Sequence, residues 1–170
     1  MGKDKAKLYL ICGKIASGKS TLAKKLADEN SAILLEQDKW LATLYPEEIV
    51  TIEDYIKSFK RLSAVIGPHV IEILKQNISV VLDFPGNTLK IRSWMKNLAD
   101  QAHCPVELHF LDVSDEVCLK RLQLRNESNL HEYKTNEDEF FQISKYFEAP
   151  SKDEGVELII YKLDGGSTRI

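Results

Sequence analysis

With 170 residues, 44% of them hydrophobic and 29% charged, the chain has the composition of one compact domain and not of a disordered polymer. A formal net charge of -3 argues against a protein that grips nucleic acid by bulk electrostatics, although a local basic groove remains compatible with it. Three cysteines without C-x-x-C spacing point to buried reduced thiols. No apolar run reaches the length of a signal-peptide core or the about 18 residues of a membrane span, so a cytoplasmic setting without membrane attachment is expected.

The first predicted strand is Lys7 to Cys12, and the most informative stretch of the chain comes directly after it. Gly13-Lys14-Ile15-Ala16-Ser17-Gly18-Lys19-Ser20 satisfies the phosphate-binding pattern G-x-x-x-x-G-K-[ST] in full. It opens a helix that carries Leu22, Leu26 and Ala27 at helical spacing. Glycines let successive N–H groups turn inward around a phosphate, and the helix N-terminus adds positive potential. Lys19 then reaches the β- and γ-phosphates and Ser20 ligates Mg²⁺, which makes the chain a nucleotide binder.

Four more strands are predicted at Ala32–Leu35, Ile78–Leu82, Val106–Leu111 and Val156–Tyr161, each apolar on both faces as in a covered parallel sheet. The helical patterns lie between them. One starts at a capping box, Thr51-Ile52-Glu53-Asp54, and Gly67-Pro68 is expected to interrupt or kink it. A second runs from Thr88 to Ala102, and a third is N-capped by Ser114. A fourth opens on the box Thr135-Asn136-Glu137-Asp138 and stops at Ala149-Pro150. The polar stretch from Asn126 to Asn136 reads as a mobile loop. Residues 1–164 read as one domain and residues 165–170 as a flexible tail. Strand–helix alternation predicts a three-layer α/β/α fold with right-handed crossovers, whose ligands gather at the carboxyl ends of the strands.

That rule selects the carboxylates. Asp38, three residues after the second strand, reads either as the base that takes an acceptor proton during phosphoryl transfer or as a helix N-cap or solvated acid; Glu36 is a less favoured substitute. Asp83 ends the apolar run Val80-Val81-Leu82 like a Walker-B aspartate, placed to hold Mg²⁺ beside Ser20. Arg121 and Arg125, four apart on one helix face, suit the equatorial oxygens of a transferring phosphoryl group, or form a solvated basic face. Arg92 is a weaker candidate for an acceptor phosphate. Asn87 lies in a turn, Phe84 to Thr88, that would line an acceptor pocket, and Trp40 borders the same site or packs. The histidines have no partner at metal-ligand spacing.

Together, Gly13 to Thr21, Asp38, Val81-Leu82-Asp83 with Asn87-Thr88 and Arg92, and the Arg121/Arg125 pair resemble the small P-loop kinases, a group that includes polynucleotide kinases, zeta toxins, chloramphenicol phosphotransferase and gluconate kinase. The resemblance covers most of the chain. It implies a five-stranded parallel sheet of order 2-3-1-4-5 with a short helical lid, and nucleotide contacts from Gly13 through Thr21. It also implies Asp38 as general base, Asp83 on Mg²⁺, and lid arginines on phosphates. The expected activity is transfer of the γ-phosphoryl group of ATP to a hydroxyl of a small molecule or a nucleic-acid end. The alternative is a nucleotide-dependent switch with weak ATPase activity, and no guanine-selecting N-K-x-D sequence supports a GTPase. Phe84-Pro85-Gly86 stands where relatives carry an aspartate-led run with small residues, and Asp38-Lys39 where two aspartates are usual, so acceptor specificity is open. Phe147-Glu148-Ala149-Pro150 with Glu154-Gly155 resembles the loop that holds the nucleotide base.

Overall fold

The computed structural model describes residues 5–128, 134–162 and 166–170. In chain order the elements are β1 (Leu8–Cys12), α1 (Lys19–Asn30), β2 (Ile33–Glu36), α2 (Gln37–Leu44), α3 (Ile52–Lys75), β3 (Val80–Pro85) and α4 (Leu89–Ala102). Next come β4 (Val106–Leu111), α5 (Asp115–Ser128), α6 (Glu137–Ser144), a short 3-10 turn (Lys152–Glu154), β5 (Glu157–Tyr161) and β6 (Ser167–Arg169). They form one sheet of order β2-β3-β1-β4-β5-β6, parallel through β5.

Every residue of β1 is buried, as a central strand covered on both faces requires. Its alternation divides the core. Tyr9 and Ile11 join Val81 and the α1 residues Ala23, Leu26 and Ala27 on one face. Leu8, Leu10 and Cys12 face Val70 and Leu74 of α3 and Met95, Leu98 and Ala99 of α4 on the other. A third cluster, Val113, Cys118, Leu122 and Phe140, packs α5 and α6 against Ile15 and Ala16 of the loop after β1.

The structure corrects the sequence reading in several places. The sheet has six strands, not five, because residues 167–169, expected in the tail, pair antiparallel with β5. That strand satisfies an edge of backbone donors and acceptors that β5 would otherwise present, and Arg169 reaches Glu157 at 3.1 Å. Helix α3 begins at the expected capping box, with Thr51 and Asp54 bonding reciprocally, but runs unbroken through Gly67-Pro68. A proline inside a helix costs about 3 kcal/mol. Burial of Leu62, Val70 and Leu74 on the same helix returns about 1.5–3 kcal/mol each, and the bare Gly67 lets Leu98 and Trp94 of α4 close in.

Helix α6 is capped one residue later than expected, by Asn136 with Glu139. It ends at Ser144, because Phe147 turns away to stack on Phe110 with ring centroids 6.0 Å apart. Helix α2 has no counterpart among the elements expected from the sequence. In the stretch read as a mobile loop, α5 extends to Ser128 and residues 129–133 lie outside the described ones. Strand β3 runs two residues past Asp83, its register to β1 shifting after Leu82.

Candidate active site

The loop between β1 and α1 has the backbone of an anion cradle. Ala16 and Gly18 take positive φ, 60° and 106°, and a Cβ on Gly13 would lie 2.5 Å from Ser17 Oγ. Ser17 is 2% exposed, and its Oγ has no hydrogen-bond partner among the described residues. An orphaned buried hydroxyl in a glycine-punctuated turn at a helix N-terminus is polar inventory that phosphate oxygens could satisfy. Lys19 Nζ donates to the carbonyls of Gly13 and Lys14, at 2.7 Å each. Burial pulls the Lys19 ammonium below its ordinary pKa, opposed by the charge of Asp83 and then of Asp38. Ser20 and Thr21 occupy the exposed first turn of α1, and Ile15 and Ala16 pack on the α5–α6 cluster.

The Ser20 hydroxyl lies beside the Asp83 carboxylate. Burial raises the Asp83 pKa; the neighbouring Ser20 hydroxyl and Lys19 oppose that, and Asp38 and Glu36 add to it. Hydroxyl and carboxylate are hard oxygen donors of the kind Mg²⁺ takes beside nucleotide phosphates, so the pair fits that ion. Among the described residues no group of three or more His, Cys, Asp or Glu side chains could hold a metal. The protein therefore offers a partial shell that phosphate oxygens would complete.

Asp38 sits in the first turn of α2, within electrostatic reach of both Lys19 and Asp83. Glu36, not Asp38, occupies the N-cap position of that helix, and no side chain caps it, so the capping alternative for Asp38 falls away. Tyr55 Oη, from α3, donates to Asp38 Oδ1 at 3.4 Å, and Gln37 Nε2 donates to Tyr55 Oη at 2.5 Å. Glu36 is engaged with Lys39 at 2.8 Å.

On the opposite wall, Arg121 Nη1 of α5 donates to Ser17 O at 3.0 Å, and Arg125 lies one turn later, half-buried. Lys14 Nζ bonds Asp115 at 2.5 Å and lies 5.7 Å from the Phe147 ring centroid, tying the phosphate loop to α5 and to the segment after α6. Cys12, buried beneath the loop, has its thiol pushed up to about 12, which leaves it un-ionised and no nucleophile.

Two residues expected near the acceptor, Arg92 and Asn87, are engaged elsewhere. Arg92 is 3% exposed and grips Glu154 through Nε at 2.7 Å and Nη2 at 2.8 Å, while Nη1 donates to Gly86 O at 2.9 Å and Glu148 O at 2.7 Å. A guanidinium so committed is a clamp on the 148–154 segment, not a phosphate hand. Asn87 Oδ1 accepts from the Gly13 amide at 3.1 Å, and its carbonyl from Glu148 N at 2.9 Å, so it fixes the entrance of the phosphate loop. Trp40 is half-buried against the main core. Sequence reasoning missed Gln37 and Tyr55. Tyr55 matched the apolar rhythm of α3, and only the α2–α3 packing brings its hydroxyl to Asp38.

Comparison with known proteins agrees with this geometry. Residues 8–150 match the AAA domain family. A search of curated protein sequences gives no match. Among solved structures, a candidate kinase from Chloroflexus aurantiacus superposes with a TM-score of 0.73 at 17% identity, covering 95% of this chain and 87% of that one. Kti12 of Chaetomium thermophilum in complex with ADP-AlF3 gives 0.70 at 17% identity, with 92% and 89% covered. The APS kinase CysC of Mycobacterium tuberculosis, in complex with AMPPNP and APS, gives 0.61 at 18% identity, with 96% and 92% covered. The chain therefore belongs to the AAA domain family and carries the fold of the small P-loop kinases.

Proposed function

We propose that this protein is an ATP-dependent kinase that transfers the γ-phosphoryl group to a hydroxyl of a small molecule or of a nucleic-acid end. The observation that carries the reading is the meeting of Asp38, from α2, with Lys19 and Asp83 beside the phosphate loop. A nucleotide switch needs the loop and a metal site. A second carboxylate, outside the metal pair and within electrostatic reach of Lys19, is what an acceptor hydroxyl needs.

In this reading the loop from Gly13 through Thr21 wraps the phosphates, with the Gly13 amide held by Asn87, and Lys19 leaves the loop carbonyls to contact the β- and γ-oxygens. Ser20 and Asp83 would hold Mg²⁺, which when bound supplies positive charge to the phosphate oxygens. Asp38 orients the acceptor hydroxyl and takes its proton. The acceptor oxygen bonds the γ-phosphorus, the bond to the β–γ bridging oxygen breaks, and ADP leaves with that electron pair. Arg121 and Arg125 place fixed positive charge on the equatorial oxygens as the chemistry proceeds. The acceptor set retains Asp38 and Trp40, whereas Asn87 and Arg92 act as supports of the loop. Three free cysteines suit a reducing, cytoplasmic setting, and among the described residues no helix is long and apolar enough to cross a membrane.

The test is a screen for ATP-dependent mass gain of one phosphoryl group across sugars, nucleosides, antibiotics, peptidoglycan precursors and polynucleotide 5′-hydroxyls. On the acceptor so found, Asp38→Asn should bind ATP like the wild type and transfer about 10²-fold or more slowly. Lys19→Ala should weaken ATP binding and turnover together. Equal transfer by Asp38→Asn and wild type would remove Asp38 as the base.

A further inference from the structure

Gln37 is completely buried at the start of α2, yet its Oε1 has no hydrogen-bond partner among the described residues. A half-satisfied amide in a core destabilises by about 1–3 kcal/mol, so its retention calls for a reason outside packing. The reason lies on its other end, where Nε2 donates to the phenolic oxygen of Tyr55 at 2.5 Å. A phenol has one proton to give. With Gln37 donating to its oxygen, that proton turns to the opposite side, where Asp38 Oδ1 lies 3.4 Å away. An ionised carboxylate only accepts, so each link in Gln37–Tyr55–Asp38 has one permitted direction.

We propose that Tyr55 is a positioning residue for Asp38, with Gln37 fixing the direction of its hydroxyl. The inference rests on the reading of Asp38 as general base. Asp38 projects from the first turn of a short helix, α2, that itself comes after an edge strand. Tyr55 belongs to the 24-residue helix α3, held by the main core. A hydrogen bond from α3 transfers that rigidity to the carboxylate by holding Oδ1, which leaves the other oxygen for an acceptor hydroxyl. Reaching an effective geometry before the acceptor arrives removes orientational freedom that transfer would otherwise have to freeze. The 3.4 Å separation is long for an O–H···O bond, as such contacts are before substrates tighten the site. Lys19 and Asp83 also act on Asp38 electrostatically, but neither constrains its rotation about the α2 backbone.

The test uses the full chain labelled with ¹³Cζ-tyrosine, and first requires no turnover. The Tyr55 hydroxyl proton, assigned by its loss in Tyr55→Phe, should exchange slowly, shift in Asp38→Asn and shift again in Gln37→Leu. An unprotected hydroxyl, or one that answers to Gln37→Leu but not to Asp38→Asn, overturns the proposal, the latter by showing the phenol donating to the amide oxygen. The functional arm measures phosphate release from ATP and Mg²⁺ with water as the acceptor. Tyr55→Phe should lower kcat about tenfold and keep KM for ATP within about twofold; it also lowers the melting temperature, because Gln37 loses its partner, so kcat is compared well below the variant's melting range. Adding Gln37→Leu to Tyr55→Phe should cause no further loss, since the amide acts only through the phenol. Wild-type kcat in Tyr55→Phe, with Asp38→Asn impaired, overturns the positioning role alone. Wild-type kcat in Asp38→Asn, with the hydroxyl proton still tracking Asp38, overturns the base reading and leaves the relay as geometry without catalytic use.

Discussion

Residues at this site divide between those proposed to meet the nucleotide and those that hold the loop in shape, and the second group is the less visible. Asn87 is the clearest case, because its side-chain oxygen accepts the amide of Gly13 at the threshold of the phosphate loop. Asn87→Ala should raise the Kd for ATP about three- to tenfold, the worth of one lost hydrogen bond, with little change in melting temperature; calorimetric titration beside a thermal melt checks both. Arg92 differs in kind. Its partner Glu154 is also largely buried, so Arg92→Met strands a carboxylate in the core and should cost about 3–5 kcal/mol of stability in urea unfolding, well before any effect on ATP is considered. If Arg92→Met instead folds as stably as wild type and loses transfer alone, the acceptor role expected from its place in the sequence returns.

At the scale of elements, α3 shows how tertiary packing outvotes local rules. Pro68 is exposed in the middle of an unbroken helix whose buried side is held by the sheet and by α4. Pro68→Ala restores a donor and removes a ring clash at a site with no core contact to lose, so it should stabilise the fold by about 1–3 kcal/mol, read as a higher urea midpoint. The gain is smaller than the full helix-propensity difference because proline also restricts the unfolded chain. The edge strand β6 works by a related logic, covering the outer side of β5. Truncation after residue 165 should lower the melting temperature and raise self-association in sedimentation experiments, since an uncovered β5 edge is a template for another chain.

Across the whole molecule, one polar network lies away from the phosphate loop, on the sheet face of β4. Glu107 and His109, both buried, meet Lys7, Arg169 and the Tyr161 hydroxyl; Lys7 and Arg169 pair with Glu107, and His109 Nδ1 lies 2.8 Å from Tyr161 Oη. Burial drives the His109 imidazole down from 6.5 to about 4 against the pull of Glu107, and Lys7 and the other cations hold the Glu107 carboxyl below its usual range despite burial. Both folded-state pKa values are depressed, so in each case the unfolded chain binds the proton first. The network's contribution is therefore present above about pH 6.5 and is lost as pH falls toward 4. Urea midpoints should drop across that window, and His109→Gln should flatten the fall between pH 6.5 and 5, where Glu107 does not yet titrate.

The sequence by itself made the phosphate loop legible, because its pattern is local: eight consecutive residues, Gly13 to Ser20, carry it, and the strand before and helix after are set by neighbouring apolar spacing, although Asn87, Asp115 and Arg121 brace the loop from distant segments. Local capping chemistry likewise made Thr51 legible as a helix start, and apolar spacing did so for the helix at Thr88, whose side-chain cap is a finding of the structure. Tertiary structure decided whatever depends on contacts between distant segments. The six-stranded order, with β6 at the edge, required pairing free energies that no local window contains. So did the survival of α3 through Pro68, and the retirement of Arg92 from the acceptor site to a clamp on Glu154. Asp38 was readable as a carboxylate on the right edge of the sheet, but its bond from Tyr55, seventeen residues on and in another helix, arises only when α2 and α3 pack, since side-chain hydrogen bonds across elements leave no period in the sequence.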